Sequence, residues 1–286
     1  MVAPLRRVIV KRPAEAFASP SKVEAEWRDL GFGAPPDLGR ARDEHAAFVA
    51  LLEGAGAEVL ALPEAPGTTL DSIYVHDPGL VTNAGVVVFN MGKPQRRGEG
   101  PALVAALSAW GVPVLGEVLA PATAEGGDML WVDERTLVAG RTYRTNAAGV
   151  ARIRELLSPQ GVEVVETGLP SWNGPEDLIH LLSLVSPVAE DLAVVYRPLM
   201  PIPLLELLEE RGFRLLDVPA EEFPLMGPNV LALAPRRVIM LRGLPRTRAA
   251  LEAAGCEVME YAGDDISRKG NGGPTCLTRP LWRGGA

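Results

Sequence analysis

The stretch that decides the fold is Arg237-Val238-Ile239-Met240-Leu241, followed by a segment around Arg246 to Ala254 and by Gly255-Cys256-Glu257-Val258-Met259. The apolar, β-branched run predicts a buried strand, and the segment after it predicts a helix. Gly255 stands where that helix ends in a left-handed residue, and a second short strand follows it. The unit is therefore a strand, a helix and a strand.

The same unit occurs four more times in the chain. Its copies run from Arg7 to Leu60, from Val86 to Leu115, from Thr136 to Val165 and from Leu192 to Leu216. The helices of these copies are predicted around Arg42–Leu52, Ala102–Ala109, Ala147–Leu157 and Leu204–Glu210, and the glycines that end them are Gly56, Gly111, Gly161 and Gly212. One such glycine is typical of any α/β fold, whereas five spaced by roughly 43 to 55 residues indicate a repeated supersecondary unit.

A further strand candidate precedes four of the five copies, at Ser72–Val75, Met129–Val132, Ile179–Val185 and Asn229–Leu233. The first copy has none, but a strand-like piece without a partner starts at Cys276. A closed ring that uses this piece to complete the N-terminal unit leaves no sheet edge open. We therefore predict a five-bladed α/β propeller of ββαβ modules, with residues 1–286 as a single catalytic domain. An ordinary doubly wound sheet is the alternative, and only the number of repeats disfavours it.

The bulk composition describes a globular chain of 286 residues, 47% hydrophobic and 22% charged, with a formal net charge of -8. The acidic balance argues against nucleic acid or an anionic membrane as a partner. Two cysteines make no disulfide framework, and the N-terminus lacks the apolar core of a signal peptide. No apolar run is long enough to span a membrane. These features favour a cytoplasmic protein and leave open whether it is a homodimer.

The Gly-rich stretch from Lys269 to Thr278 holds Cys276 beside three glycines and a proline. Glycine permits positive φ and close approach to a ligand, and proline stiffens the chain next to the thiol. Such a loop suits a nucleophile better than a buried structural cysteine. A loose tail is the alternative, since Gly-rich segments near a terminus are often disordered.

Other parts of the chain offer partners for this thiol. His180 is the best candidate of the three histidines, although a lone histidine in an apolar stretch is more often a packed core residue. Glu125 and Asp128 enclose two glycines in a predicted tight turn, for which a solvated acidic loop is the alternative. Metal binding is not expected, because no cysteine or histidine pair has the spacing of ligands. No phosphate-binding loop is present either, and no cofactor is predicted.

The stretch from Asp71 to Asp77 is predicted to be a strand that ends in an acid. Alternation places Asp77 on the apolar face, where a carboxylate is costly unless a cation pairs with it. Arg96 and Arg144 are loop arginines able to hold a carboxylate in a bidentate way, or simply to lie in solvent. The whole set suits a small substrate with a cationic head and an anionic tail, such as an amino acid that carries a guanidinium.

At these residues the chain resembles the guanidine-modifying (pentein) superfamily, and within it dimethylarginine dimethylaminohydrolase. The resemblance spans essentially the whole chain and implies the five-bladed propeller. Its parts are the Asp71 to Asp77 strand, Arg96-Arg97-Gly98-Glu99, Glu125-Gly126-Gly127-Asp128, Arg144-Thr145-Asn146, His180-Leu181-Leu182-Ser183 and Cys276.

The resemblance also implies roles for these residues. Cys276 matches the nucleophile, His180 the general acid and base, and Glu125 the acid that orients the histidine. Substrate-binding positions fall on Asp77 and Asp71 for the guanidinium side and on Arg96 and Arg144 for the α-carboxylate, and Asp128 is a further substrate-binding candidate.

The predicted reaction is hydrolysis of a C–N bond in a substituted guanidine, with Nω-methylated arginine as the preferred substrate. Arginine deiminase and amidinotransferase remain alternatives. Both families are similar in carrying an aspartate two positions after the histidine, where this chain has Leu182. Methylarginine hydrolases usually have lysine there and an aromatic ring where this chain has Val87, so the substituent stays open. A propeller that only binds a partner is the alternative from another class.

Overall fold

The structure, a computed structural model, describes residues 2–171, 174 and 179–284. Its strands are β1 (Leu5–Val10), β2 (Glu58–Ala61), β3 (Gly79–Thr82), β4 (Gly85–Val88), β5 (Val114–Glu117), β6 (Met129–Trp131), β7 (Thr136–Arg141), β8 (Glu163–Gly168), β9 (Val185–Ala189), β10 (Leu192–Val195), β11 (Arg214–Asp217), β12 (Leu231–Ala234), β13 (Arg237–Leu241), β14 (Glu257–Tyr261) and β15 (Arg279–Arg283). Its α-helices are α1 (Pro13–Ala16), α2 (Pro20–Glu26), α3 (Leu38–Gly54), α4 (Glu99–Ala109), α5 (Ala147–Leu157), α6 (Ile202–Glu210) and α7 (Pro245–Ala253).

The strands form five sheets of three strands each, in the orders β15-β1-β2, β3-β4-β5, β6-β7-β8, β9-β10-β11 and β12-β13-β14. In every sheet the middle strand pairs antiparallel with one neighbour and parallel with the other. In each module one helix, from α3 in the first to α7 in the last, connects the two parallel strands of that module. The predicted five-module α/β propeller is thereby confirmed. In the first module, β15 pairs antiparallel with β1, with Val8 opposite Pro280.

Local sequence explains where the connecting helices start and stop. The Asn146 side chain accepts a hydrogen bond from the Gly149 backbone N–H at 2.8 Å and so caps the start of α5. Gly56, Gly111, Gly161, Gly212 and Gly255 all have positive φ, between 66° and 89°, just after the helical segments. A residue with a Cβ is strained in this conformation, so glycine turns the chain into the next strand at least cost.

Two predicted strands are wrong. Ser72–Val75 does not form a strand, because Leu70–Ile73 is a 3₁₀ turn in which the Ser72 N–H and hydroxyl both bond to the Thr69 carbonyl. Ile179–Val185 likewise contains the 3₁₀ turn Leu181–Ser183, and β9 begins only at its last residue. Both segments are apolar and buried as inner strands would be, but they are the loops that lead into those strands.

The inner strands of the five sheets, β3, β6, β9, β12 and β15, line one central channel. Leu80, Trp131, Pro187, Leu231 and Leu281 each come from a different one of these strands and border the same cavity. Loops that precede the inner strands therefore meet at one end of the channel. None of the helices in the described residues is long and apolar enough to cross a membrane.

Candidate active site

The residues singled out in the sequence stand at equivalent places in the propeller. Asp77 precedes β3, Asp128 precedes β6, His180 precedes β9 and Cys276 precedes β15. Because the inner strands surround one axis, the loops before them bring residues together that lie far apart in sequence. One end of the channel thus collects the predicted carboxylates, the imidazole and the thiol.

Glu125 holds the imidazole of His180. Its side chain is fully buried, and its Oε2 lies 3.0 Å from the His180 Nε2. Its Oε1 accepts a hydrogen bond from the Lys93 backbone N–H at 2.9 Å and lies 3.5 Å from an Arg144 guanidinium nitrogen. A carboxylate with these partners stays ionised despite burial. The hydrogen bond to His180 and the positive charges around it lower the pKa of Glu125.

The glycines after Glu125 let this histidine approach. A Cβ at Gly127 would lie 2.6 Å from the His180 Nδ1, so any side chain there would push the ring away. Burial alone would lower the pKa of His180, but the charge of Asp128, the hydrogen bond that the ring donates to Glu125 and the charge of Asp77 outweigh it and raise the pKa to about 9. The imidazole, 22% exposed, is therefore protonated at neutral pH and able to give a proton to a leaving group.

Asp77 lies between the groups of this site. Its Oδ1 accepts from the Gly127 N–H at 2.9 Å, and its Oδ2 accepts from Arg96 at 2.6 Å. Burial opposes its charge, but Arg96 and His180 lower the pKa of Asp77 far below its ordinary value. The same charge acts on the Cys276 thiol. The cation that compensates Asp77 here is a protein side chain.

Arg96 is placed differently from the sequence-based expectation. It was expected to grip a substrate carboxylate, but its side chain is 4% exposed and its donors face inward. It makes two hydrogen bonds of 2.7 and 2.8 Å to Glu99, one to Asp77 and one of 2.9 Å to the Tyr74 carbonyl. Four of its N–H donors are thus used within the protein, so its geometry fits positioning of Asp77.

Cys276 is held by the loop that the sequence picked out. Its Sγ accepts a hydrogen bond of 3.4 Å from the Asn229 amide, whose oxygen accepts from the Thr275 N–H at 3.0 Å. A Cβ at Gly273 would lie 2.5 Å from that amide, which explains this glycine. Burial and the charge of Asp77 raise the pKa of Cys276 to about 11. The thiol is therefore protonated in the free protein at neutral pH.

Asp71 meets Lys93, a residue that the sequence analysis did not select. The Lys93 ammonium donates to the Asp71 Oδ2 and to the Leu30 carbonyl, both at 2.7 Å. Leu30 belongs to the segment between α2 and α3. Lys93 therefore connects that segment to the acid, and its backbone N–H connects to Glu125.

Asp128 lies behind the site. It is fully buried, and its carboxylate accepts from the Thr142 and Thr145 hydroxyls, both at 2.7 Å, and from the Leu181 N–H at 3.3 Å. Burial raises the pKa of Asp128 to about 6. These contacts tie together the loops that carry Arg144 and His180. Its geometry fits the positioning of those loops and leaves it no free face for a substrate.

A family model described as N,N dimethylarginine dimethylhydrolase, eukaryotic, matches residues 37–283. The chain belongs to this family. An N(G),N(G)-dimethylarginine dimethylaminohydrolase of Streptomyces coelicolor is 29% identical over 254 residues, which cover 89% of each chain. An arginine deiminase of Listeria welshimeri is 28% identical over 73% of this chain and 61% of its own length.

Solved structures of the dimethylarginine dimethylhydrolase family share the fold. The Pseudomonas aeruginosa enzyme, in a complex with citrulline, superposes with a TM-score of 0.79 at 23% identity and covers 96% of this chain and 98% of its own. The family and the five-module fold predicted from the sequence are confirmed, as is the prediction of a hydrolase of this type.

Sequence analysis missed several residues of the site in this family member. Asn229 carries no obvious chemical signal, but it stands just before β12, in the position that Cys276 and Asp77 occupy before their own inner strands. Applying that positional rule to all five modules would have found it. Lys93 follows the middle strand of its sheet and had no such signal. Among the described residues, no group of acidic, histidine or cysteine side chains is arranged to hold a metal ion.

Proposed function

We propose that this protein hydrolyses Nω-methylated arginine to citrulline and an alkylamine, with Cys276 as nucleophile. One observation carries the proposal: an imidazolium on a buried carboxylate and a thiol lie around the same acid, Asp77, at one end of the channel. An acid between the two groups is where a planar cation would bind. Nucleophilic displacement at a guanidinium carbon uses a thiol, a proton donor for the leaving amine and a carboxylate that holds the cation.

The first half of the reaction uses Cys276 and His180. The thiolate attacks the guanidinium carbon and forms a C–S bond. The C–N bond to the alkylamine then breaks, and the protonated His180 gives its proton to the departing nitrogen. The result is a free amine and a covalent thiouronium on Cys276.

The second half reverses these roles. His180, now neutral, takes a proton from a water molecule that attacks the thiouronium carbon. The C–S bond breaks, the thiolate leaves, and the new C–OH group gives up its proton to the sulfur or to solvent, so that the carbon becomes the ureido group of citrulline. Glu125 keeps the imidazole oriented through both halves, because its Oε2 holds the His180 Nε2 at 3.0 Å.

The substrate itself favours the thiolate. Asp77 raises the pKa of the Cys276 thiol in the free protein. A guanidinium bound beside Asp77 would compensate that negative charge and add a positive one next to the sulfur. The thiol would then lose its proton more easily when a cation is in place than when the site holds only water.

The remaining charged groups would select the two ends of the substrate. We assign Asp77 and Asp71 to the guanidinium side, where Lys93 occupies Asp71 until a cationic ligand displaces it. We assign Arg144 to the α-carboxylate, because among the described residues its one acidic neighbour is Glu125, whose Oε1 lies 3.5 Å from the guanidinium. We assign Arg96 to the positioning of Asp77, and Asp128 to the positioning of the loops that carry Arg144 and His180.

The proposal extends to the whole chain and its setting. We infer a single catalytic domain with an N-terminal module completed by β15, acting on a small guanidino compound. Both cysteines are free thiols, which fits a reducing cytoplasm. A homodimer stays open.

The decisive test combines Cys276→Ser with trapping. We expect turnover to fall by about 10⁴-fold or more while the circular dichroism and melting temperature stay unchanged. Mass spectrometry of the acid-quenched wild-type reaction should show a thiouronium adduct on Cys276, and 2-chloroacetamidine should label the same residue. An active serine variant, or no label on Cys276, would refute the mechanism.

The nature of the released amine tests the substrate. Dimethylamine or methylamine from methylated arginines supports the proposal, whereas ammonia from arginine indicates a deiminase. The similarity to a Listeria arginine deiminase makes this second activity worth measuring in the same assay. Transfer of the amidino group to glycine in place of water would identify an amidinotransferase.

A further inference from the structure

A cavity of about 660 Å³ occupies the channel on the side away from the catalytic groups. We call it the rear cavity. Its walls are the inner strands β3, β6, β9, β12 and β15, and Leu80, Trp131, Leu231 and Leu281 give it an apolar lining. Neither Cys276 nor His180, Glu125 or Asp77 borders it. Its volume is within the range of small-molecule sites in proteins, roughly 300 to 1,000 Å³.

The rear cavity contains a buried arginine without a partner. Arg279 borders it, is 5% exposed, and has neither Nε nor Nη2 in a hydrogen bond within the described part of the chain. Its Nη2 packs against Gly126, where a Cβ would lie 2.2 Å from it. A guanidinium remains charged in proteins, and an unpaired buried charge is costly unless something binds to it.

Two further side chains of the rear cavity carry N–H donors that no acidic group accepts within the described residues. The Gln160 Nε2 is buried and lacks a hydrogen-bond partner among the described residues. Arg283, four residues after Arg279 on the same strand, donates to the backbone carbonyls of Ala3 and Ala232 and to no acid among the described residues. Both arginines border the rear cavity. The unsatisfied groups are donors.

Acidic groups do not balance these donors. Within the described residues, neither Arg279 nor Arg283 has an ion pair, and the acid that borders the rear cavity is Glu134, an exposed residue of the β6–β7 turn. Asp77 lies within electrostatic range of Arg279 but is bonded to Arg96 and Gly127. The histidine of the cavity, His76, donates its Nδ1 hydrogen to the Thr278 carbonyl at 2.8 Å.

We propose that the rear cavity binds a small organic anion, whose carboxylate pairs with Arg279 and whose apolar body packs against the inner strands. A carboxylate matches the two parallel N–H donors of a guanidinium and needs no proton. The apolar lining would favour an aliphatic or aromatic body over a bare inorganic ion. The inference does not rest on the proposed reaction, because the two sites share no lining residue.

Isothermal titration calorimetry with acetate, hexanoate and hexanamide tests the proposal. Hexanoate should bind saturably. Acetate should bind at least tenfold more weakly, because each buried methylene contributes about 0.8 kcal/mol. Hexanamide, which has the same body without the charge, should not bind measurably. Equal weak heats for all three probes would show that the rear cavity holds only water.

Variants locate the bound probe. Arg279→Met should weaken hexanoate about tenfold or more, as expected for loss of hydrogen bonds to a charged group. Arg283→Met, a second variant in case the first fails to fold, should weaken it less. Arg237→Met is the control: it removes an arginine of β13 that is ion-paired to Glu257 of β14, and it should leave the affinity for hexanoate unchanged. Cys276→Ser should also leave hexanoate binding intact.

One further variant separates the two sites. Arg144→Ala removes the guanidinium that we assign to a substrate carboxylate, so it should not affect hexanoate in the rear cavity. If Arg144→Ala abolishes binding while Arg279→Met does not, hexanoate binds at the catalytic end and the proposal is wrong. Binding that survives both Arg279→Met and Arg283→Met would overturn it as well.

Discussion

Arg96 and Arg279 are two buried arginines within electrostatic range of Asp77, and they differ in their hydrogen bonds. Arg96 is 4% exposed and donates to Glu99, Asp77 and the Tyr74 carbonyl. Arg279 is 5% exposed, and the described residues give its Nε and Nη2 no acceptor. Two nearby acids raise the pKa of Arg96 in spite of burial, whereas burial lowers the pKa of Arg279 to about 9.

The difference indicates that the charge of Arg96 stabilises the fold, whereas the charge of Arg279 is available to bind a ligand. At the catalytic end, protein side chains pair with each other and fix the positions of Asp77 and Glu125. In the rear cavity Arg279 has no ion pair among the described residues, and Asp77, the acid within its range, is hydrogen-bonded to Arg96 and Gly127. A buried charge without a partner costs stability, so its presence indicates binding more strongly than a satisfied one does.

The largest expected effect compares matched substitutions of the two arginines. Arg96→Met leaves the Asp77 and Glu99 carboxylates buried without their cation, and we expect the free energy of unfolding to fall by about 3 to 5 kcal/mol. Arg279→Met removes an unpaired charge, so that free energy should stay the same or rise. Urea denaturation of both variants measures this, and equal losses would show that Arg279 is as well paired as Arg96.

The second effect concerns the pH dependence of stability at the catalytic end. The pKa of His180 is raised from 6.5 to about 9 in the folded protein, so its charged form stabilises the fold by about 3 kcal/mol. This contribution is fully present below pH 6.5 and disappears as the pH rises through 9, because the unfolded chain loses the proton first. Urea denaturation between pH 6 and 9.5 should show the decline.

Two histidine variants isolate that slope. His180→Gln should remove the decline between pH 6.5 and 9. His45→Gln should keep the decline. Burial lowers the pKa of His45 to about 4, so this histidine changes the free energy of unfolding only at pH values below about 6.5. A decline that persists in His180→Gln would mean that the imidazole is not paired with Glu125 as the structure has it.

The third effect concerns Asp77, the carboxylate near both arginines, and its influence on the Cys276 thiol. Asp77→Asn removes a negative charge beside the thiol, so the pKa of Cys276 should fall by about one unit and alkylation at pH 8 should accelerate about tenfold. Iodoacetamide labelling in a Cys256→Ala background measures the rate. A slower rate would show that Asp77 does not act on the sulfur, whatever its effect on turnover.

The smallest effect tests whether Lys93 competes with a cationic ligand. Lys93→Met frees Asp71, so arginine should bind a few-fold more tightly relative to citrulline, its neutral counterpart, since a partly exposed ion pair is worth at most about 1 kcal/mol. Lys22→Met is the control, because the Lys22 ammonium bonds to the Thr68 carbonyl instead of an acid. An unchanged arginine to citrulline ratio would remove Lys93 from substrate selection.

Periodicity predicted the propeller well, because every module repeats the same helix, glycine and strand pair. The loops before the inner strands were harder. Asp71 to Asp77 has the alternating pattern of a strand, yet all seven residues are buried, and hydrogen bonds to Thr69 and Asp71 curl the segment into a turn. Asp77 was correctly expected to need a cation, but the sequence alone does not say whether Arg96 or a substrate provides it.

The pairing of β15 with β1 means that the first blade contains the last strand to be synthesised. At about 5 to 20 residues per second, translation finishes the four middle modules before residues 279–283 leave the ribosome. The N-terminal strand β1 must therefore keep one edge unpaired, open to other chains, until β15 has been synthesised. Cys276 lies three residues before β15. It therefore reaches His180 and Asp77 only when β15 pairs with β1 and completes the propeller, and a chain without β15 cannot place the thiol in the site.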